Sequence, residues 1–362
     1  MEITKKYFIN GPNNVIRLTN GTKIIYIFGD IHLDVDNQNK CIYDKNVDSI
    51  NFDQFIIKIM KENTKEEYDL FIEQTFDQLT DRGYNDYNHI YLNNVRNIFS
   101  KNIKFDKNNK IIKSEKYLNY RFHYFDFRDD FQEFIKIKEL VYELLNTNLL
   151  ENIDFIINIL VNIKLNIDNF NKLINEKSKH KIIKKLYLKY KNVKIQKQIL
   201  YLINTYFKNY FYHDINNTID DLLDYLYTNY DTILNKYLSN DFKLELIFEI
   251  IKKIDLIDSL FYNIFQLSDI YLIRRILDKK YNKKSIVYTG LAHLSLITYF
   301  LVKYFDFKIT HIYYLSDEIK NVEDYIKKGK NYNNLINYLL NINEKDEIIQ
   351  CINLFDFPIN MS

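Results

Sequence analysis

Short apolar runs and amphipathic stretches alternate at both ends of the chain. The runs are rich in β-branched and aromatic residues, which predicts strands, and their unbroken apolar character is typical of strands covered on both faces. The predicted strands span residues 15–19, 22–28, 68–73, 122–127, 285–289 and 309–315. The first two flank Asn20 and Gly21, a dipeptide that favours a tight hairpin turn.

Two amphipathic stretches lie between predicted strands. Residues 50–65 carry apolar side chains at helical spacing, and residues 294–304 do the same between the last two strands. Strand–helix–strand units of this kind indicate a mostly parallel sheet with flanking helices. Ligands of such sheets bind at the carboxyl ends of the strands, so those ends are where chemistry is expected.

The middle of the chain has a different pattern. From about residue 129 to residue 280 it shows long stretches of helical periodicity and is almost without glycine or proline. We therefore predict an α/β protein, with a mostly parallel sheet core and flanking helices, split by a large all-helical insertion. The N-terminal half of the core spans 1–128, the insertion 129–280 and the C-terminal half 281–362. The insertion could be a lid, a wall of the active site or a partner surface.

Charge and composition narrow the classes of function. Fifty basic and 48 acidic residues leave a net charge of +2, and the signs are mixed along the chain, so no nucleic-acid-binding surface is predicted. No stretch approaches the roughly 18 apolar residues of a membrane span, and the start lacks a signal peptide's apolar region. Cys41 and Cys351 are too few for a disulfide framework. We expect buried or inert thiols in a soluble, intracellular protein.

The strongest chemical signal is a pair of Gly-x-x-His motifs. Gly29 to His32 and Gly290 to His293 each follow a predicted strand directly. With six glycines and seven histidines in the chain, chance would place only roughly 0.1 such pairs at any one spacing. Each histidine is expected on the turn at the carboxyl end of its strand. Glycine lets the backbone turn or approach a ligand, and the imidazole can bind a metal or move a proton.

Three charged residues extend this predicted site. Glu73 ends a predicted strand, which would place its carboxylate at the same sheet edge as the two histidines. Two histidines and one carboxylate form a familiar metal-binding set with positions left for water or substrate. Asp30, inside the first motif, could bind the metal, act as general base or orient His32.

Arg128 follows Asp126 near the end of a predicted strand. Its guanidinium could bind an anionic substrate group or a developing oxyanion. An ion pair with Asp126 or Asp129 would explain it almost equally well.

The residues of this site resemble a known superfamily. The segment Phe-Gly-Asp-Ile-His at 28–32, then Glu73, then Tyr-Thr-Gly-Leu-Ala-His-Leu at 288–294 resemble the TraB/TIKI/erythromycin-esterase/ChaN-like superfamily. Its members include metal-dependent proteases, macrolide esterases and a haem- or iron-binding lipoprotein group. The resemblance covers about a third of the chain and, by analogy of motif, carries site roles to five positions. These are Gly29, His32, Glu73, Gly290 and His293.

One difference from the superfamily and one further similarity accompany this resemblance. Asp30 stands where many members of the superfamily have glutamate, which keeps the charge and shortens the reach. Residues 125–128 and 267–275 are also similar to regions of large-DNA-virus proteins, and a viral source would place the protein in the host cytoplasm or the virion.

The leading hypothesis is a hydrolase of ester or amide bonds acting on a small molecule or a peptide. His32, Glu73 and His293 would hold a divalent metal ion of unknown identity, and Asp30 would assist proton transfer. Arg128 would stabilise negative charge. A metal-free variant, in which a histidine acts as general base on water, uses the same residues and stays open, as does the oligomeric state.

Two other functions use the same residues. The first is a non-catalytic, virion-associated protein that binds haem, a metal or a partner. The second is a metallophosphoesterase, because Asp30 and His32 also match the opening Asp-x-His of that class. The later Gly-Asp-x-x-Asp, Gly-Asn-His-Glu and Gly-His-x-His motifs of that class do not occur in the sequence, so this function is disfavoured. His123 and His311 lie in strand-like runs and are expected to be hydrogen-bonded sheet residues.

Overall fold

A computed structural model describes most of the chain. The described residues are 8–31, 41, 49–62, 66–74, 90–102, 104–105, 111–112, 116–127, 130–147, 152–177, 180–188, 190–234, 245, 248–257, 266–313, 319–328, 335, 350–354 and 357–358. The chain divides into two compact units, one formed by Met1–Asp126 with Arg275–Ser362 and the other by Phe127–Arg274. None of the helices in the described ranges is long and apolar enough to cross a membrane.

The first unit is built on β-sheets. Its strands are β1 (Phe8–Asn10), β2 (Asn14–Thr19), β3 (Ile24–Asp30), β4 (Ser49–Asn51), β5 (Tyr68–Ile72), β6 (Lys104–Phe105), β7 (Ile111–Ile112), β8 (Tyr120–Tyr124), β9 (Lys284–Gly290), β10 (Lys308–Tyr313) and β11 (Cys351–Asn353). A six-stranded sheet has the order β10-β2-β3-β9-β5-β8, a smaller one the order β11-β1-β4, and β6 pairs with β7.

The helices follow the same chain order. They are α1 (Phe52–Glu62), α2 (Ile90–Asn102), α3 (Gln132–Leu145), α4 (Ile153–Asn175), α5 (Lys181–Leu188), α6 (Val193–Leu202), α7 (Asp214–Thr228), α8 (Tyr230–Leu234), α9 (Gln266–Asp278), α10 (Leu291–Tyr304) and α11 (Ile319–Lys327), with a π-helix at Ile203–His213 between α6 and α7. In the second unit, α4 buries one apolar stripe along its length, as its periodicity predicts.

The predicted hairpin is confirmed. Strands β2 and β3 pair antiparallel, and Gly21 in the turn between them has φ of +83°. The Asn20 side chain accepts hydrogen bonds from the amides of Thr22 and Lys23 at 3.1 and 3.0 Å. Asparagine and glycine therefore occupy the two positions where a local side-chain acceptor and a positive φ are needed.

The predicted α/β fold with a mostly parallel sheet is also confirmed. Strand β9 pairs parallel with β3 on one side and with β5 on the other, and β5 pairs parallel with β8. The central strands β3, β5 and β9 are buried on both faces, as expected from their apolar runs. The outer strands β8 and β10 are partly exposed, and each lies at an end of the sheet formed by the described strands.

One face of the sheet packs on α1. Phe52 of α1 stacks on Tyr288 of β9 with ring centroids 4.3 Å apart and contacts Phe28 of β3 at 4.8 Å. Tyr68 and Tyr120 stack at 5.2 Å in the same cluster of buried residues. Because side chains alternate along a strand, the even-numbered residues of β3, β5 and β9 face α1.

The opposite face packs on α10. A Cβ atom added at Gly29 would lie 2.8 Å from Cδ1 of Leu294 and 3.3 Å from Cδ1 of Leu291. Gly29 has no positive φ, so its missing side chain serves the close approach of the helix to the strand. The first motif glycine therefore has a packing reason of its own.

The smaller sheet joins distant parts of the chain. Strand β1 pairs antiparallel with β11 and parallel with β4. Next to it, Cys41 and Cys351 form a disulfide across a sequence separation of 310 residues. The interpretation of these cysteines as separate, inert thiols was wrong. Two cysteines cannot form a framework of several disulfides, but the antiparallel pairing of β11 with β1 brings Cys351 next to Cys41.

The two glycines of β3 and its hairpin should respond oppositely to substitution. At Gly21 we expect Ala to lower the free energy of unfolding by about 1 kcal/mol, because L-residues disfavour positive φ, and Asn to lower it less. At Gly29 the order reverses, since Asn is larger and brings a polar group to a buried contact, with an expected loss of about 1–3 kcal/mol. Urea unfolding of the four variants tests this. The same Ala-to-Asn order at both sites would contradict it.

Candidate functional site

The pairing of β3 with β9 places the first residues of the two Gly-x-x-His motifs side by side. In the parallel register Gly29 lies opposite Thr289 and Asp30 opposite Gly290. On the other side of β9, the amide of Glu73 donates to the carbonyl of Tyr288 at 3.1 Å. Gly29, Asp30, the second motif and Glu73 therefore meet at the carboxyl edge of the parallel strands, where ligands bind in sheets of this kind.

Glu73 and His293 form a buried pair. Nε2 of His293 lies 3.0 Å from Oε1 of Glu73, and both side chains are less than a tenth exposed. The other carboxylate oxygen, Oε2, accepts hydrogen bonds from the Thr289 hydroxyl at 2.8 Å and the Gly290 amide at 2.7 Å. Each oxygen of this buried carboxylate thus has a partner, as burial of a charge requires.

The helix α10 positions both members of this pair. It begins at Leu291, directly after Gly290, so His293 lies in its first turn. The sequence interpretation placed this histidine on a turn and started the helix at residue 294, which was three residues late. Because free amides and the positive end of the helix dipole are found at a helix N-terminus, this end suits the Glu73 carboxylate.

Asp30 is held separately. Its Oδ2 accepts from the Tyr288 hydroxyl at 2.9 Å and its Oδ1 from the Gln350 side-chain amide at 2.6 Å. Burial raises the pKa of Asp30 to about 8; these two hydrogen bonds oppose the shift and the charge of Glu73 adds to it. Gln350 also donates to the backbone carbonyl of Ile31.

The two carboxylates lie on opposite faces of the sheet. Asp30 bonds to Tyr288, whose ring packs in the cluster with α1. Glu73 bonds to Thr289, the next residue of β9, on the side of α10. Strand β9 therefore lies between two different carboxyl groups: Glu73, which is paired with His293, and Asp30, which accepts hydrogen bonds from neutral donors.

Two of the predicted site residues, His32 and Arg128, lie outside the described residues. Within the described ranges, no group of three or more histidine, cysteine, aspartate or glutamate side chains is placed to hold a metal ion. Of the proposed ligand set, the structure brings together Glu73 and His293.

Sequence reasoning missed three partners in this site. Tyr288 and Thr289 stand next to Gly290 in the quoted motif segment, and a threonine in an apolar buried strand was an available signal. Gln350 is 320 positions from Asp30 and carries no local signal at all. Only the pairing of β11 with β1 reveals it.

A second cluster of polar residues, centred on the buried Asp69, lies on β5 and β8. Arg121 binds Asp69 through two hydrogen bonds of 2.8 and 2.7 Å, and Nε2 of His123 lies 2.6 Å from the same carboxylate. Nδ1 of His123 lies 2.9 Å from a guanidinium nitrogen of Arg275, which can only donate. Burial lowers the pKa of His123 to about 4. A neutral imidazole donating to Asp69 satisfies every contact, as expected for a structural sheet histidine.

Comparison with known proteins places the chain in a family. One family model matches residues 7–237 and 233–362, almost the whole chain. The chain belongs to DUF5847, a family of unknown function. No solved structure matches the chain.

The curated relatives of this DUF5847 chain come from Acanthamoeba polyphaga mimivirus. Uncharacterized protein R161 is 27% identical, with 97% of each chain covered. Uncharacterized protein R160 is 28% identical, covering 97% of this chain and 96% of the relative, and uncharacterized protein R706 is 26% identical, covering 84% and 86%. These matches agree with the predicted large-DNA-virus resemblance. The resemblance to the TraB/TIKI superfamily stays a prediction.

The shifted pKa of Asp30 predicts a pH dependence of stability. The unfolded carboxyl has its ordinary value near 3.8, so between there and about 8 folding takes up a proton. The contribution of Asp30 to stability therefore falls as pH rises through this window. We expect wild type to lose stability relative to Asp30→Asn between pH 5 and pH 8, measured by urea unfolding. Taking the difference cancels other groups, and a difference independent of pH would contradict the assignment.

Proposed function

We propose that this protein is a hydrolase of ester or amide bonds in which His293 is the general base and Glu73 orients it. The observation that carries the proposal is the buried contact of 3.0 Å between Glu73 Oε1 and His293 Nε2. A carboxylate that fixes the tautomer of a histidine recurs in hydrolases of unrelated fold. The resemblance of the motifs to a superfamily with macrolide esterases and proteases supports the same bond types.

The hydrogen bonds of Glu73 decide which imidazole nitrogen accepts a proton. Oε2 is already taken by the donors of Thr289 and Gly290. Oε1 therefore accepts the hydrogen of His293 Nε2, and the lone pair of the neutral imidazole is on Nδ1. Nδ1 would take a proton from water as the water attacks the substrate carbonyl, and later return it to the leaving group.

His32 and Arg128 complete the proposal. His32 follows Ile31, whose carbonyl is held by Gln350 at the same sheet edge. Arg128 would stabilise the oxyanion of the tetrahedral intermediate. Asp30, whose oxygens are held by Tyr288 and Gln350, would position the segment leading into His32.

The metal-dependent form of this proposal needs one change from the predicted ligand set. With its Nε2 hydrogen on Glu73, His293 would bind the ion through Nδ1, together with His32. Glu73 would then orient a ligand rather than be one, as carboxylates behind metal-binding histidines commonly do. The ion would lower the pKa of a bound water.

Glu73→Gln should abolish most activity with little change in fold. The glutamine oxygen must face the donors of Thr289 and Gly290, so its amide group faces Nε2 and forces the hydrogen of His293 onto Nδ1. We expect kcat to fall by about 10²–10⁴-fold, since the base is then in the wrong tautomer. Glu73→Asp retains the charge and should retain more activity. Equal activity of wild type and Glu73→Gln would rule out this role.

His293→Ala tests the base itself, and the same substitution at the exposed His213 is its matched control. On a panel of carboxylic esters, amides, peptides and phosphoesters, we expect His293→Ala to lose about 10²-fold or more in kcat/KM and His213→Ala to match wild type. Circular dichroism checks that both fold.

A chelator separates the two forms of the mechanism. Activity that survives chelation indicates the metal-free base, and activity lost and restored by a divalent ion indicates binding through His32 and His293. No turnover by folded wild-type protein on the whole panel, with and without added divalent ions, would refute the hydrolase proposal.

A further inference from the structure

Two consecutive residues, Gln350 and Cys351, hold two separate points of the N-terminal region. Gln350 donates to the Asp30 carboxylate and to the Ile31 carbonyl. Cys351 is bonded covalently to Cys41. One short stretch of chain therefore carries both a hydrogen-bond anchor of the site and a disulfide.

The position of this dipeptide depends on a small sheet. Asn10 pairs with Cys351 at the end of β1 and β11, and the Gly11 amide donates to the Gln350 carbonyl at 3.2 Å. Strand β11 has three residues and pairs with a strand of three residues. Strands this short are marginal by themselves, so a covalent link adds much of the restraint.

Cys41 is also hydrogen-bonded to the small sheet, through Asn10 of β1. Its amide donates to the Asn10 side chain at 3.1 Å, and that side chain donates to Asn51 at 3.2 Å. Cys351 is buried, whereas Cys41 is partly exposed, which gives a reductant access to the disulfide from the Cys41 side.

We infer that the Cys41–Cys351 disulfide is a redox switch that fixes Gln350 against Asp30 and Ile31, so that the site is assembled in the oxidised protein and loosened in the reduced one. The anchored residues Asp30 and Ile31 directly precede His32 of the first motif. Gln350 is thus a positioning residue. Its hydrogen bonds to Asp30 and Ile31 depend on the disulfide of the next residue, Cys351. Disulfides in reducing compartments commonly have such sensing roles, and the sequence led us to expect an intracellular protein.

The switching reaction is an exchange with a dithiol. One thiolate of the dithiol attacks the Cys41 sulfur and forms a mixed disulfide, and the Cys351 sulfur leaves as a thiolate that takes up a proton. The second thiol of the reductant then displaces Cys41 and closes its own disulfide. Two electrons and two protons pass to the protein, and the dithiol is oxidised. A disulfide donor reverses the exchange.

The first test does not depend on activity. Full-length protein, oxidised or reduced with dithiothreitol, is compared by hydrogen–deuterium exchange, with thiol alkylation to confirm each state. We expect the Gly11 amide and peptides of β11 to exchange about tenfold faster after reduction, while β5 is unchanged. The disulfide joins β11 to Cys41, whose amide donates to Asn10 of β1, so equal exchange in the two states would overturn the inference.

The second test uses activity and therefore rests on the proposed function. On a substrate found in the hydrolase panel, we expect reduction to lower kcat by about tenfold or more, since small displacements of a site have effects of that size. The Cys41→Ser, Cys351→Ser variant should show the low activity in both conditions, which also controls for effects of dithiothreitol elsewhere.

Gln350→Leu tests the link between switch and site. With the disulfide intact, this variant should have the activity of reduced wild type and should no longer respond to reductant, although its cysteines still interconvert. A structural role of the disulfide alone would leave the response in place. Full activity of reduced wild type would refute the switch and leave the hydrolase proposal standing. Absence of any turnover would refute the hydrolase and leave the exchange experiment to decide the switch.

Discussion

The parallel pairing of β3 with β9 is the constraint on which the site depends. It joins the N-terminal and C-terminal parts of the chain through seven residue pairs, from Ile24 opposite Lys284 to Asp30 opposite Gly290. A shift of one residue would turn every side chain of one strand to the other face. If β9 shifted, Tyr288 would turn away from α1, and Thr289 and Gly290 would no longer face Glu73. The hydrophobic clusters on the two faces therefore fix the chemistry at the edge, because they fix the register.

The two buried carboxyl groups of the site, Glu73 and Asp30, have different hydrogen-bond partners. Glu73 is held by a histidine, a hydroxyl and a backbone amide at the start of α10, all of which suit a negative charge. Asp30 is held by a phenol and an amide, and burial shifts its pKa upward to about 8. Carboxyl groups held in different environments are common in sites that perform proton transfer. In this protein the two groups lie on separate faces of the sheet, and the charge of Glu73 still contributes to the raised pKa of Asp30.

The sequence predicted the sheet well because its signals are local. The Asn20-Gly21 turn, the apolar runs of β3 and β9 and the periodicity of α1 each depend on residues close in the chain. The prediction of Glu73 at the edge followed from the end of its strand. The disulfide and the bond from Gln350 to Asp30 could not be predicted, since they depend on where a three-residue strand pairs. The helix start at Leu291 was missed because no turn separates the strand from the helix. Gly290 has an extended backbone and is both the last residue of β9 and the N-cap of α10.

The insertion of a helical unit between β8 and β9 has a consequence for how the protein is made. Strand β9 pairs with β3 and β5 at the centre of the sheet, yet the ribosome must synthesise the whole segment Phe127–Arg274 after β8 before β9 emerges. Until then β3 and β5 expose strand edges that have no partner between them, and such edges are prone to aggregate. The helical segment has mostly local contacts and can fold early, whereas the sheet must wait for a distant strand. Nascent chains of this protein should therefore depend on chaperones most strongly just before residue 284 appears.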